Sequence, residues 1–153
     1  MNFNKGNYNF NKDILQGEKG EEVIKNILVN MGFVFIKYNK DNKFDLLMEY
    51  NNRQITYEIK TDIYPKNTGN LVIEFECRGK LSGISVTKAD YFVTYFPHLN
   101  EIWNIKTSIL IKLINQHKPR ISENSGDKGS NTKLYILNKN KFRNYFKVYN
   151  FPS

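Results

Sequence analysis

Asp45, followed thirteen residues later by Glu58-Ile59-Lys60, brings two carboxylates and an amine within reach of one short hairpin. Carboxylate oxygens hold hard divalent cations, and a bound cation lowers the pKa of its water. An adjacent ammonium can orient or deprotonate that water. The chemistry open to such a trio is hydrolysis of a phosphodiester, provided the three groups share a face.

Parity supplies that face. Residues 44–50 (FDLLMEY) and 54–60 (QITYEIK) both read as strands, and Asn51-Asn52 between them suits a tight turn because Asn tolerates positive φ. Closing the hairpin there sets Tyr50 opposite Arg53 and, counting back, Asp45 opposite Glu58. Side chains alternate along a strand, so Asp45, Leu47 and Glu49 share a face with Gln54, Thr56, Glu58 and Lys60. Phe44, Leu46, Met48, Ile55, Tyr57 and Ile59 form an apolar opposite face. Directly opposed carboxylates repel unless a cation lies between them. The alternative for Lys60 is a structural ion pair with Glu58 or Asp45.

A third acid lies on the preceding helix, which carries Glu18, Glu21 and Glu22. At 100° per residue Glu21 lies beside the apolar stripe, Glu22 points away and Glu18 sits at the margin. An inward acid needs a partner. That partner is either a metal shared with Asp45 and Glu58 or a lysine.

Several elements must hold these groups. Residues 1–12 read as a polar lead-in. A helix follows over 13–31 with the stripe Ile24, Ile27, Leu28 and Met31, stopped by Gly32. Strands are expected at 33–38, 71–76, 91–96, 101–105 and 134–137 besides the hairpin. Helices are expected from Thr107 or Ser108 to Asn115 and over 139–146. Residues 62–70 and 119–132 read as loops, the second a mobile one. The order gives a single mixed α/β domain, one sheet flanked by helices.

The chain of 153 residues is long enough for one real core, and its 11 Phe and 10 Tyr argue against disorder. No apolar run approaches the ~18 residues of a membrane span, and the polar N-terminus has no apolar stretch of secretory type. A single Cys77 excludes an internal disulfide or a thiolate cluster, which fits a reducing, intracellular setting. His98 and His117 have no partner at zinc-ligand spacing. Trp103 reads as core. Richness in Lys and Asn fits an AT-rich genome such as a virus or phage carries.

Charge is uneven. Residues 1–101 hold 13 Lys/Arg and 13 Asp/Glu, whereas residues 102–153 hold ten Lys/Arg against Glu123 and Asp127, so the whole +8 lies in the last third. A basic third beside a carboxylate-bearing part suits a polyanion; the plainer reading is a solvated Lys-rich surface. Arg78-Gly79-Lys80, Ser82-Gly83-Ile84-Ser85 and Thr87-Lys88 form a polar, basic, Gly-containing stretch suited to phosphate contact. Arg78, Lys80, Ser82 and Lys88 are the candidate DNA contacts. Glu74 and Glu76 either support the site from a neighbouring strand or form a solvated face.

These residues resemble the PD-(D/E)XK nuclease superfamily, to which restriction enzymes and Holliday junction resolvases belong. The likeness runs through Gly17-Glu18-Lys19-Gly20-Glu21, Leu28, Gly32, Asn39, Phe44-Asp45-Leu46 and Glu58-Ile59-Lys60-Thr61. The stretch from Ser82 to Tyr91 is similar to a segment of phage-type members. The resemblance implies a restriction endonuclease-like mixed central sheet flanked by helices. It implies Asp45 as central metal ligand, Glu58 as the second acid, the Ile59 carbonyl as a further ligand and Glu21 (or Glu18) as the helix acid. It implies Lys60 at the attacking water or the transition state, and Mg²⁺ as cofactor with Mn²⁺ as a substitute. Phe44 stands where the name-giving Pro would be, a position without a chemical role.

The first expectation is therefore a Mg²⁺-dependent DNA endonuclease, with a homodimer compatible and a Holliday junction within its substrate range. No helix-turn-helix or finger stands out, so structure-selective or weakly specific cleavage is expected. The rival is a non-catalytic DNA-binding protein that keeps the fold, against which intact Asp45, Glu58 and Lys60 count. An RNA-directed nuclease is a third reading.

Overall fold

The computed structural model describes residues 3–41 and 43–151, with side chains from residue 17 onward. In chain order it contains α1 (Phe3–Asn30), β1 (Val34–Tyr38), β2 (Leu46–Tyr50), β3 (Arg53–Thr61), β4 (Asn70–Cys77), β5 (Lys80–Leu81), β6 (Tyr91–Phe96) and β7 (Glu101–Lys106). Then follow α2 (Thr107–His117), β8 (Arg120–Ser125), β9 (Thr132–Asn138), α3 (Lys139–Phe142) and β10 (Lys147–Asn150).

The first helix starts earlier than its periodicity indicates, and most of the segment read as a lead-in is helical backbone. That segment has no apolar stripe to betray a helix, but no proline interrupts it either. α1 ends in a Schellman turn. The Phe33 N–H donates to the Leu28 carbonyl and the Gly32 N–H to the Val29 carbonyl, both at 3.0 Å, with Gly32 at φ +100°. Met31 lies within this turn and is 49% exposed, so it leaves the buried stripe that Ile24 and Leu28 keep.

Two sheets replace the expected single one. The larger has six strands in the order β1-β2-β3-β6-β7-β10, with β3 and β6 parallel and every other pair antiparallel. The smaller is β5-β4-β9-β8. The strand expected at 71–76 is β4, which lies in the smaller sheet rather than the main one. Its Leu71 and Ile73 pack across from the main sheet with Phe92, Phe96 and Trp103. Residues 119–132, expected as a loop, contain β8. Its side chains are mostly exposed, so no alternation marks it, and pairing with β9 holds its backbone. The expected helix over 139–146 shortens to α3 and a 3₁₀ turn, and β10 then adds to the main sheet along β7.

The main sheet is covered on both faces. α1 packs Ile24 and Leu28 on Leu46, Met48, Tyr57, Ile59, Val93 and Ile102. The other face meets α2, α3 and the small sheet through Phe92, Phe96, Trp103, Ile105, Leu110, Leu113 and Leu137. Glu58 and Lys60 alternate with Tyr57 and Ile59, so they face away from α1 and toward the small sheet's side.

Candidate active site

The hairpin closes as parity requires. Asn51 and Asn52 sit at φ 51° and 61°, both in the left-handed region of a two-residue hairpin turn. The ladder runs from Tyr50↔Arg53 to Leu46↔Tyr57. It stops one residue short of Asp45, and that stop builds the site. Asp45 donates its N–H to the Tyr57 carbonyl at 2.9 Å, and its Oδ2 accepts the Ile59 N–H at 2.7 Å. The carboxylate thus takes the place of a strand partner. A strand residue points its N–H and C=O to the same edge, so the Ile59 carbonyl is directed to Asp45's side as well. From the opposite flank, the Asn39 N–H donates to the Asp45 carbonyl at 2.9 Å, and the Asn39 amide donates to the Phe44 carbonyl at 3.1 Å.

Glu58 is only 6% exposed, and its carboxyl lies within hydrogen-bonding reach of Asp45. Burial pushes it up to about 8; the Lys60 ammonium opposes that rise, and the Asp45 and Glu21 carboxylates add to it. Lys60 Nζ stands 4.0 Å from Glu58 Oε1, while the side chain remains open to solvent. Such a pair, half in water, is a weak structural bond, which leaves the ammonium available to a ligand.

Glu21 arrives from the α1 side. Gly20 makes this possible: a Cβ there would overlap Thr61 Oγ1, so only glycine lets the helix approach β3 this closely. Glu18 and Glu22 are exposed while Glu21 is half-buried, which singles out Glu21 as the inward acid. Burial, then Asp45 and Glu18, push the Glu21 carboxyl up to about 7, with Lys60 and Lys40 opposing. Lys40 had no signal in the sequence, because the loop carrying it is placed by Asn39 rather than by any periodic element.

Among the described residues no three His, Cys, Asp or Glu side chains close into a ready-made metal cage. Asp45 and Glu58 are the two that meet, with Glu21 near enough to feel them. Mg²⁺ usually takes one or two carboxylates and keeps waters and substrate oxygens for its remaining positions. Two acidic groups and a carbonyl, all oxygen donors, fit that demand.

The candidate DNA contacts are scattered. Arg78 and Gly79 form the tip of the β4–β5 hairpin at φ 54° and 73°, and Arg78 flanks the groove beside Thr61 and Glu74. Lys80 is exposed on β5. Lys88 is exposed, and its N–H donates to the Lys43 carbonyl at 2.7 Å, just ahead of Asp45. Ser82 departs from expectation: its Oγ is buried with no hydrogen-bond partner among the described residues, because Gly83 tucks the chain against the Glu74 carbonyl. Glu76 pairs with Lys133 at 3.0 Å rather than supporting a metal, whereas Glu74 faces the groove. Trp103 is core, and the His117 ring meets Phe142 edge-on at 5.2 Å.

No protein-family model matches the chain, and no curated protein matches it. Among solved structures it is similar to a bacterial homing endonuclease, I-Ssp6803I. The TM-score is 0.51 at 18% identity, over 64% of this chain and 71% of that one. The likeness is one of fold: a mixed α/β domain around a large mixed sheet, an arrangement compatible with a nuclease.

Proposed function

We propose that this protein is a metal-dependent DNA endonuclease of the PD-(D/E)XK kind. The observation that carries the reading is the meeting of Asp45 and Glu58 where β2 stops, with the Lys60 ammonium beside them. The fold's likeness to a homing endonuclease supports it. Mg²⁺, or Mn²⁺ in its place, would be held by Asp45, Glu58 and the Ile59 carbonyl, with Glu21 behind them. Bound there, the cation supplies a water of lowered pKa and offsets charge on the phosphate. Asp45 stays fixed through its bonds to Ile59 and Tyr57. Glu58 gives up its proton to serve as a ligand. Lys60, open to solvent, orients the attacking water or neutralises charge on the phosphate. Cleavage is structure-selective or weakly sequence-specific, with a four-way junction within range and a homodimer as the form that would cut both strands. The protein works inside the cell, with its DNA.

Labelled linear duplex, single-stranded and four-way-junction DNA, incubated with Mg²⁺ or EDTA, tests this. Cleavage is expected with Mg²⁺ alone. Asp45→Ala and Lys60→Ala, each checked for folding by circular dichroism, should lose at least about 10²-fold in rate. Tight DNA binding without cleavage under any of these conditions would falsify the reading.

A further inference from the structure

A cleft of ≈ 680 Å³ opens beside Lys60, between the end of β3 and the small sheet. That size lies within the roughly 300–1,000 Å³ of sites that hold small molecules. Its walls are largely apolar, formed by Ile63, Val72 and Leu134. Glu74 and Asp62 line it too, so Lys60, the one cation on its wall among the described residues, is outnumbered by acids. A phosphate is disfavoured inside and favoured at the Lys60 end. A flat neutral ring fits the interior, and one bearing exocyclic amines can donate to Glu74.

Tyr64 completes the cleft. It lines the wall and is 56% exposed. Its backbone is nevertheless tied down. Its N–H donates to Asp62 Oδ1 at 3.0 Å, the Asp62 N–H donates to the Tyr95 carbonyl at 2.8 Å, and Pro65 follows. A pinned, solvent-facing aromatic is a stacking platform.

We infer that this cleft is a base-binding subsite, taking a nucleobase that flanks the scissile phosphate and lies outside the helical stack. The inference rests on the nuclease reading, which puts that phosphate at Lys60. It sharpens the substrate class to DNA that presents unpaired bases, as at branch points, bulges and single strands, because leaving the stack costs least for a base that is already unpaired.

Two hairpin duplexes test it, identical except that a 2-aminopurine is either bulged out or paired. Binding is measured in EDTA at fixed salt, so that no cleavage intervenes. Wild type should bind the bulged form more tightly and quench its 2-aminopurine fluorescence. Tyr64→Ala should lose the quench and about tenfold in affinity for the bulged form only, while Tyr64→Phe keeps both. Equal binding of the two duplexes by wild type overturns the inference, as does a Tyr64→Ala variant indistinguishable from wild type. If Mg²⁺-dependent cleavage persists in that case, the subsite falls and the nuclease reading stands. If cleavage never occurs while the bulge preference holds, the nuclease reading falls and the cleft remains a site for an unpaired base, with no scissile phosphate beside it.

Discussion

Glu58, Asp45 and Glu21 share one end of the main sheet, and three carboxylates this close cannot all ionise without cost. Glu21 is pushed up to about 7 and Glu58 up to about 8, in both cases chiefly by burial. A carboxyl raised above its unfolded value binds its proton more tightly in the folded protein. The stabilisation is therefore full below the ordinary carboxylate range and is lost as pH rises through 7 and 8. Each unit of pKa difference corresponds to about 1.4 kcal/mol, so the protein without divalent ions should melt several degrees lower at pH 9 than at pH 5. Glu58→Gln removes the larger of the two rises and should flatten that slope. With the proposed cation bound, the sign changes: Mg²⁺ requires deprotonated ligands and should raise the melting temperature more at pH 8.5 than at pH 5.5. Melting curves at several pH values, with Mg²⁺ or EDTA, check both statements; a flat wild-type profile in EDTA contradicts them.

At the scale of elements, the site depends on how closely α1 approaches β3. Gly20 sits where any Cβ would run into Thr61 Oγ1, whose hydroxyl is itself buried and without a hydrogen-bond partner among the described residues. Gly20→Ala should cost about 1–3 kcal/mol by overpacking, and should also reduce activity by moving Glu21. Thr61→Ala deletes the clashing oxygen, so Gly20→Ala/Thr61→Ala should recover most of the loss. A double-mutant cycle in urea shows whether the two sites couple. The hairpin and the Gly32 stop were legible in the sequence because they rest on short-range rules: alternation, two Asn at positive φ, and a glycine after the last helical turn. Glu21 was legible by the same token, since a helical wheel needs no tertiary information. β8 and β10 were not. β8 keeps most of its side chains in water, and both strands are edges fixed by their partners' backbone. The burial of the Ser82 hydroxyl was not legible either, because it is set by Gly83 against a carbonyl on another strand.

The whole molecule decides what the net charge of +8 can do. Composition placed that excess in the last third, but the fold divides it into two kinds of cation. Lys139 is buried, 3.0 Å from Glu101 and 3.8 Å above the Phe96 ring, where it joins α3 to β7. Lys133 holds Glu76 across the small sheet at 3.0 Å. Arg120 and Lys128 are exposed, Arg120 at the start of β8 and Lys128 in the turn beyond it, two residues past Gly126, which lines the cleft. Only the second kind can release counterions from DNA. Breaking a buried pair from one side costs about 3–5 kcal/mol, so Lys139→Met should lower the melting temperature sharply. Arg120→Gln/Lys128→Gln should leave melting unchanged and weaken DNA binding. On the proposed DNA contact, each lost phosphate contact reduces the slope of log affinity against log salt by about 0.9. Titrations at several salt concentrations measure that slope. A double variant with wild-type slope would put the DNA on another face, away from the cleft and Lys60.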